Sequence, residues 1–181
     1  EKVEFEGSIA HVYKMNFVNG NAEEALGNMP SSHFLNYYLG NDESKWATRV
    51  KPFQQGRLLQ MYNGIDVLLH SSGGNLKYDL KLAAHADPNQ IRLQYQGLKS
   101  ISFRDGDLIL STTLGQVIEH EPYAFQWIEG SIREVECQYR LDGSEVVFDL
   151  GEYDSNYPLT IDPEISFATY IGSPASNFGF T

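Results

Sequence analysis

Two stretches of strict alternation constrain this chain more than any other feature in it. Leu76, Tyr78, Leu80 and Leu82 are apolar at every second position, with Lys77, Asp79 and Lys81 between them. The same beat returns in Ile91, Leu93 and Tyr95 against Arg92, Gln94 and Gln96. Side chains on a strand swap faces at each residue, so period two puts one face on a core and the other in water. A further strand over 65–70 is joined to the first run by Ser71-Ser72-Gly73-Gly74-Asn75, a hairpin connection.

The rest of the chain follows the same grammar. Strands are predicted over 2–6 and 9–17, with the turn at Gly7-Ser8. Residues 22–29 (AEEALGNM) read as the one helical turn of any length, with Glu in its first turn and Gly27 and Pro30 closing it. Residues 33–39 are apolar and aromatic, and 42–46 read as a single helical turn capped by Asp42. From Gln55 onward strands are expected over 57–62 and 65–70 and then over the two alternating runs. Asp87-Pro88 between those runs is a helix-start or turn signal. Strands over 100–104 and 107–112 flank Asp105-Gly106, and strands over 132–141 and 145–150 flank Asp142-Gly143, both hairpin signals. Strands over 116–120 and 123–128 are separated by Glu121-Pro122, where proline forbids a continuous central strand. The last strands are expected over 159–161 and 165–171. About a dozen short strands at 8–12-residue spacing leave no room for helical crossovers. The expected fold is therefore all-β: an antiparallel β-sandwich-like domain with little helix. Tyr78 and Phe125 are expected among its buried aromatics.

Composition bounds the function. A chain of 181 residues can bury about 70% of its unfolded surface, and 13% aromatic content favours β structure. The net charge of −11, from scattered acids, opposes nucleic acid and anionic membranes, both of which need a basic footprint. No run of about 18 apolar residues suggests membrane insertion. Cys137 is the one cysteine, on the apolar side of Val135-Glu136-Cys137-Gln138-Tyr139, and reads as a small buried hydrophobe.

No constellation carries chemistry. His11, His33, His70, His85 and His120 make no H-x-x-x-H or H-E-x-x-H spacing. His85-Ala86-Asp87 is the nearest to a ligand pair, but Asp87 serves better as a cap. Asp105-Gly106-Asp107 fails the register of a calcium loop at Leu108, Ile109 and Leu110. Glu119, Glu121, Glu134, Glu136, Asp149 and Asp154 are the carboxylates that could pair for glycoside hydrolysis, although Glu134 and Glu136 read as the wet face of a strand. No serine sits in a G-x-S-x-G elbow, and Ser72-Gly73-Gly74 is no phosphate loop. Trp46, Tyr62 and the Tyr37-Tyr38 pair lie outside the clean alternations, where they either cap the sandwich or stack on sugars. No catalytic, cofactor-binding or metal-binding residue is assigned, and no cofactor is expected.

Asn36-Tyr37-Tyr38-Leu39-Gly40-Asn41-Asp42-Glu43-Ser44-Lys45-Trp46 resembles the NYF-(I/L)-GND-x-SKW signature of a domain that precedes the beta-propeller-type SBBP repeats of large bacterial proteins. Further motifs follow in register. Val50-Lys51-Pro52-Phe53, Tyr62-Asn63-Gly64-Ile65-Asp66, Leu76-Lys77-Tyr78-Asp79-Leu80 and Ala86-Asp87-Pro88-Asn89-Gln90-Ile91 are similar to that family's patterns. So is Pro158-Leu159-Thr160-Ile161-Asp162-Pro163, after which Phe167-Ala168-Thr169-Tyr170-Ile171-Gly172 looks like the opening of a first repeat. Asn63 and Lys51 stand where the pattern has prolines, and Ser173-Pro174 replaces a glycine-rich continuation. The resemblance implies a module over 1–163, its start truncated, and the beginning of a propeller-type repeat over 164–181. It also implies a non-catalytic, adhesin-like part of a secreted or outer-membrane-associated surface protein, of the kind exported by type IX secretion. Expected partners are other domains of the same long chain, secretion machinery, and surface proteins or glycans. A carbohydrate-binding sandwich using the aromatics near Trp46 is the alternative.

Overall fold

A computed structural model describes residues 11–72 and 75–169. Seventeen strands lie among them. The first eight are β1 (Lys14–Phe17), β2 (Glu24–Pro30), β3 (Leu35–Tyr37), β4 (Ala47–Val50), β5 (Phe53–Tyr62), β6 (Ile65–Ser72), β7 (Asn75–Leu82) and β8 (Leu93–Gln96). Then come β9 (Ser100–Arg104), β10 (Asp107–Ser111), β11 (Gly115–Glu119), β12 (Tyr123–Ile128), β13 (Ser131–Val135), β14 (Cys137–Asp142), β15 (Glu145–Leu150), β16 (Leu159–Asp162) and β17 (Ile165–Thr169). Every pairing is antiparallel. The largest sheet has the order β13-β12-β16-β7-β6-β5-β2, and two four-stranded sheets run β1-β8-β15-β14 and β17-β11-β10-β9. β3 and β4 form a separate pair. The expected strand at 2–6 and everything after Thr169 lie outside the described residues.

The three larger sheets share one core. Tyr78, Leu80 and Leu82 of β7 meet Leu93 and Tyr95 of β8, Leu108 and Leu110 of β10, and Val146 and Phe148 of β15, all buried. The alternating runs therefore face as expected at Tyr78, Leu80 and Leu82 and at Leu93 and Tyr95, with Ile91 also buried. Asp79 departs from the expectation. It points away from the core but is only 8% exposed, paired with His70 and Lys81 at 2.9 Å each. The far face of β7 is thus an ionic layer rather than an open one. A desolvated carboxylate persists only with such partners.

Local chemistry explains the turns. Asp105 (φ 52°) and Gly106 (φ 91°) both take the left-handed region, which matches the twist of β9 and β10 and closes the expected hairpin. Asp87 caps a 3₁₀ turn at Pro88–Gln90, its Oδ1 accepting from Asn89 N at 3.0 Å. Asp42 likewise caps Glu43–Lys45. The Tyr62-Asn63-Gly64-Ile65-Asp66 motif is a self-consistent clasp. Tyr62 donates its hydroxyl to Val18 O at 3.1 Å, and Asp66 accepts from Gln60 N at 2.7 Å and from Arg57, which holds the irregularity in β5. Gly64 sits at φ 75°, where a Cβ would lie 3.0 Å from that of Ala86. Gln90 Nε2 closes the clasp onto Asn63 O at 3.1 Å.

Three further expectations are corrected. Residues 22–29 are not helical: Glu24–Pro30 is β2, paired with β5 from Glu24↔Leu59 to Pro30↔Phe53. A helix of that length containing Gly27 is marginal on its own, and the ladder supplied by β5 satisfies the backbone instead. The predicted strand over 132–141 is two strands that part at Glu136. Its carbonyl accepts Gly151 N at 2.8 Å, so β13 pairs in the large sheet with β12 and β14 pairs with β15 in another. Phe125 is not a core residue. Register places Ala124, Gln126 and Ile128 inside and leaves Tyr123, Phe125 and Trp127 on the outer face.

These faces predict different costs for two aromatic truncations. Tyr78→Ala should lower unfolding free energy by about 3–5 kcal/mol, the range for a buried aromatic. Phe125→Ala should cost well under half of that. Chemical denaturation of both variants checks the assignment, and equal losses would overturn it.

Candidate functional site

The Asn36–Trp46 motif builds an exposed arm. No residue of β2, β3, β4 or the Glu43–Lys45 turn is buried. Several polar side chains of the motif are bonded within the arm itself. Asn36 Oδ1 accepts from Arg49 N at 2.8 Å where the β3–β4 register shifts. Gly40 turns at φ 65°, and its carbonyl accepts the Trp46 indole N–H at 3.1 Å. Asp42 Oδ1 accepts from Ser44 N and Ser44 Oγ at 3.1 and 2.7 Å, and those bonds hold its carboxyl below the ordinary range. Four side chains thus fix one loop. Its apolar members are displayed: Tyr38 is 59% and Leu39 65% exposed, with Phe34, Leu35, Tyr37 and Val50 beside them. Tyr38 and Trp46 meet edge to face at 5.3 Å, and the Arg49 guanidinium lies over Phe34. Tyr62, grouped with these aromatics from the sequence, is a correction: it is 7% exposed and belongs to the core.

The titratable candidates fall in separate places. His11 bonds Thr113 Oγ1 and Gly97 O, His33 bonds Ser31, His70 bonds Asp79 and His120 bonds Asp107. His85, held at φ 63°, lines an open depression of about 550 Å³ with Asp87, Asn89, Asp149 and Tyr153. Asp87 is committed to its cap, and both oxygens of Asp149 accept from Arg140 at 2.9 Å. Asp154 Oδ1 accepts from Asn156 N at 2.9 Å. Asp107 ties its hairpin to Glu121 N at 3.0 Å. Glu121, Glu134 and Glu136 do come together, along one shallow cavity of about 330 Å³ that also reaches Cys137. Burial pushes the Cys137 thiol up to about 12, so it stays protonated. Among the described residues no three His, Cys, Asp or Glu side chains gather as a metal site.

Two polar residues are buried in roles that the sequence reading does not give them: it does not single out Gln126, and it names Glu119 only among the carboxylates that could pair. Gln126, 2% exposed, donates to Asp154 O at 2.8 Å and Tyr157 O at 3.1 Å and accepts from Asp154 N at 2.9 Å, clamping the loop before β16. Glu119, 1% exposed, accepts from Tyr95 Oη at 2.8 Å and Tyr78 Oη at 3.1 Å. Burial raises its pKa to about 7 against the pull of those two hydroxyls. The Tyr139 hydroxyl nearby is buried without a hydrogen-bond partner among the described residues, and the Tyr13 hydroxyl is pushed up to about 12, first by burial and then by Glu119. The signal for both residues was period two itself. Glu119 alternates in phase with Val117, and Gln126 with Ala124 and Ile128.

A family model described as a domain of unknown function, DUF7948, matches residues 2–164. No curated protein and no solved structure matches the chain.

The buried carboxyl makes stability depend on pH in a known direction. Its folded pKa, about 7, lies above the ordinary value of 4.5, so the folded state favours the proton. Its contribution is complete below about pH 4.5, declines from there to about pH 7, and is flat above. Glu119→Gln should remove that decline. The difference in stability between wild type and variant should change by on the order of 3 kcal/mol between pH 4.5 and 8. Denaturant titrations at both pH values check it, and parallel curves would refute it.

Proposed function

The match over residues 2–164 means that the chain belongs to the DUF7948 family, and from that premise we propose a non-catalytic structural and interaction module. It is part of a large secreted bacterial repeat protein, adhesin-like and outer-membrane-associated, delivered by type IX secretion. One observation carries the interaction reading: the motif at 36–46 uses its polar residues to fix a loop and leaves Tyr37, Tyr38 and Leu39 in solvent. Ordering exposed apolar side chains has a conformational cost that contact with a partner offsets. The partner in this reading is a neighbouring domain of the same polypeptide. The motif resemblance to domains preceding SBBP repeats supports that context. In this reading β17, which adds to β11 from Gly115↔Thr169 to Glu119↔Ile165, is the strand where the first repeat would open. A module whose sheet receives that strand would shield the end of a repeat array.

The alternative, glycan binding at the arm, is favoured by one feature. The Tyr38–Trp46 edge-to-face pair offers open ring surface beside polar backbone.

Two measurements test the proposal. Tyr38→Ser combined with Leu39→Ser should leave the stability of the 181-residue chain within about 0.5 kcal/mol, as for surface substitutions generally. In the full-length polypeptide, amide exchange across 35–50 should be slower than in the 181-residue chain, and the double substitution should abolish that protection. Equal exchange in both contexts would sink the interaction reading. Failure of protease shaving to release the protein from intact cells would sink the surface location.

A further inference from the structure

The outer face of the seven-stranded sheet carries an aromatic stripe that the arm does not include. Tyr123, Phe125 and Trp127 alternate on β12 and point away from the core. Tyr123 and Phe125 stack at 5.4 Å and 29°, and Trp127 is the most open of the three at 60%. Alternate residues on a strand stand on the order of 7 Å apart, the scale of one sugar ring. Polar groups lie directly alongside. Asp162 is the cross-strand partner of Tyr123, Thr160 that of Phe125, and Lys81 that of Thr160. Beyond them the Lys81–Asp79–His70 network covers the same face.

We infer that this face is a binding platform for a neutral polysaccharide, with Tyr123, Phe125 and Trp127 stacking on sugar rings and Asp162 and Lys81 bonding their hydroxyls. Two observations favour that occupant. The first is Asp162, whose Oδ1 is buried and receives no hydrogen bond among the described residues. Burial, and then the neighbouring Asp79, hold its carboxyl above the ordinary range, so an added donor is favourable there. Asp162 is only partly covered, and a sugar hydroxyl donates to the exposed side of its carboxyl and accepts from an ammonium at the same time. The second is charge. Lys77 is paired with Glu164 and Lys81 with Asp79 on this face, so both lysines are already engaged by carboxylates and offer an anionic polymer little. The chain as a whole, at −11, repels anionic polymers. An apolar protein surface laid over the patch would strand those charges without water. A polyhydroxyl chain meets the rings with its C–H faces and the charges with its hydroxyls. This inference stands apart from the arm and does not depend on it.

Affinity electrophoresis of the 181-residue chain through gels containing hydroxyethyl cellulose, galactomannan, xyloglucan or dextran tests the platform. At least one polymer should retard the wild type. Trp127→Ala should weaken that retardation at least tenfold and Asp162→Asn several-fold, while Trp46→Ala leaves it unchanged. Trp127 is exposed enough for its variant to keep the wild-type melting temperature, which is measured in parallel. No retardation by any of the four overturns the inference. So does retardation that survives Trp127→Ala, or that is lost only with Trp46→Ala, an outcome that would move sugar binding to the arm. A dimer in sedimentation that Trp127→Ala dissolves, without sugar binding, also overturns it and makes the face a contact between copies.

Discussion

One carboxylate joins three sheets. Glu119 comes from β11, and the two hydroxyls it accepts come from Tyr78 of β7 and Tyr95 of β8, one side chain from each of the larger sheets. An acid in so apolar a place is costly unless it is protonated or bonded. The cost falls only when all three sheets are docked in register. Hydrophobic contact between sheets is non-directional and tolerates sliding. The directional tyrosine bonds do not, so the cluster restricts how Leu80, Leu93, Leu108 and Val146 meet around it.

The same division recurs at smaller scale. Apolar residues decide which face of each strand is covered, and polar side chains set where loops and bulges stop. Asp66 fixes the irregularity in β5, Gln126 clamps the loop before β16, Asp87 and Asp42 cap the two short turns, and Asn36 fills the register shift of the arm. Most motifs that carry the family resemblance therefore have structural roles. Asp162 differs, since among the described residues nothing donates to its Oδ1. The arm differs too, because its polar residues stabilise a surface rather than a core.

Much of the fold is legible from period two. The faces of Tyr78, Leu80, Leu93 and Tyr95, the Asp105-Gly106 hairpin, the caps at Asp42 and Asp87 and the burial of Cys137 all follow from local rules. Phe125 was misplaced because an aromatic was given more weight than its phase. Ala124, Gln126 and Ile128 were the consistent set, and the same rule points to Glu119. The helical reading of 22–29 failed for another reason. Its local preference was weak, and the open edge of β5, distant in sequence, offered a ladder.

The sequence by itself determined an antiparallel all-β chain with its strand faces and most of its turns, because these depend on side-chain alternation and on residues within about four positions. Tertiary structure alone decided which strands share a sheet, that the run through Glu136 divides between two sheets, and that Asp79 is covered. It also decided that Tyr123, Phe125 and Trp127 lie beside Asp162. Those outcomes rest on pairings between residues far apart in the chain. Backbone ladders are chemically alike, so only the combined packing of all the sheets selects among them.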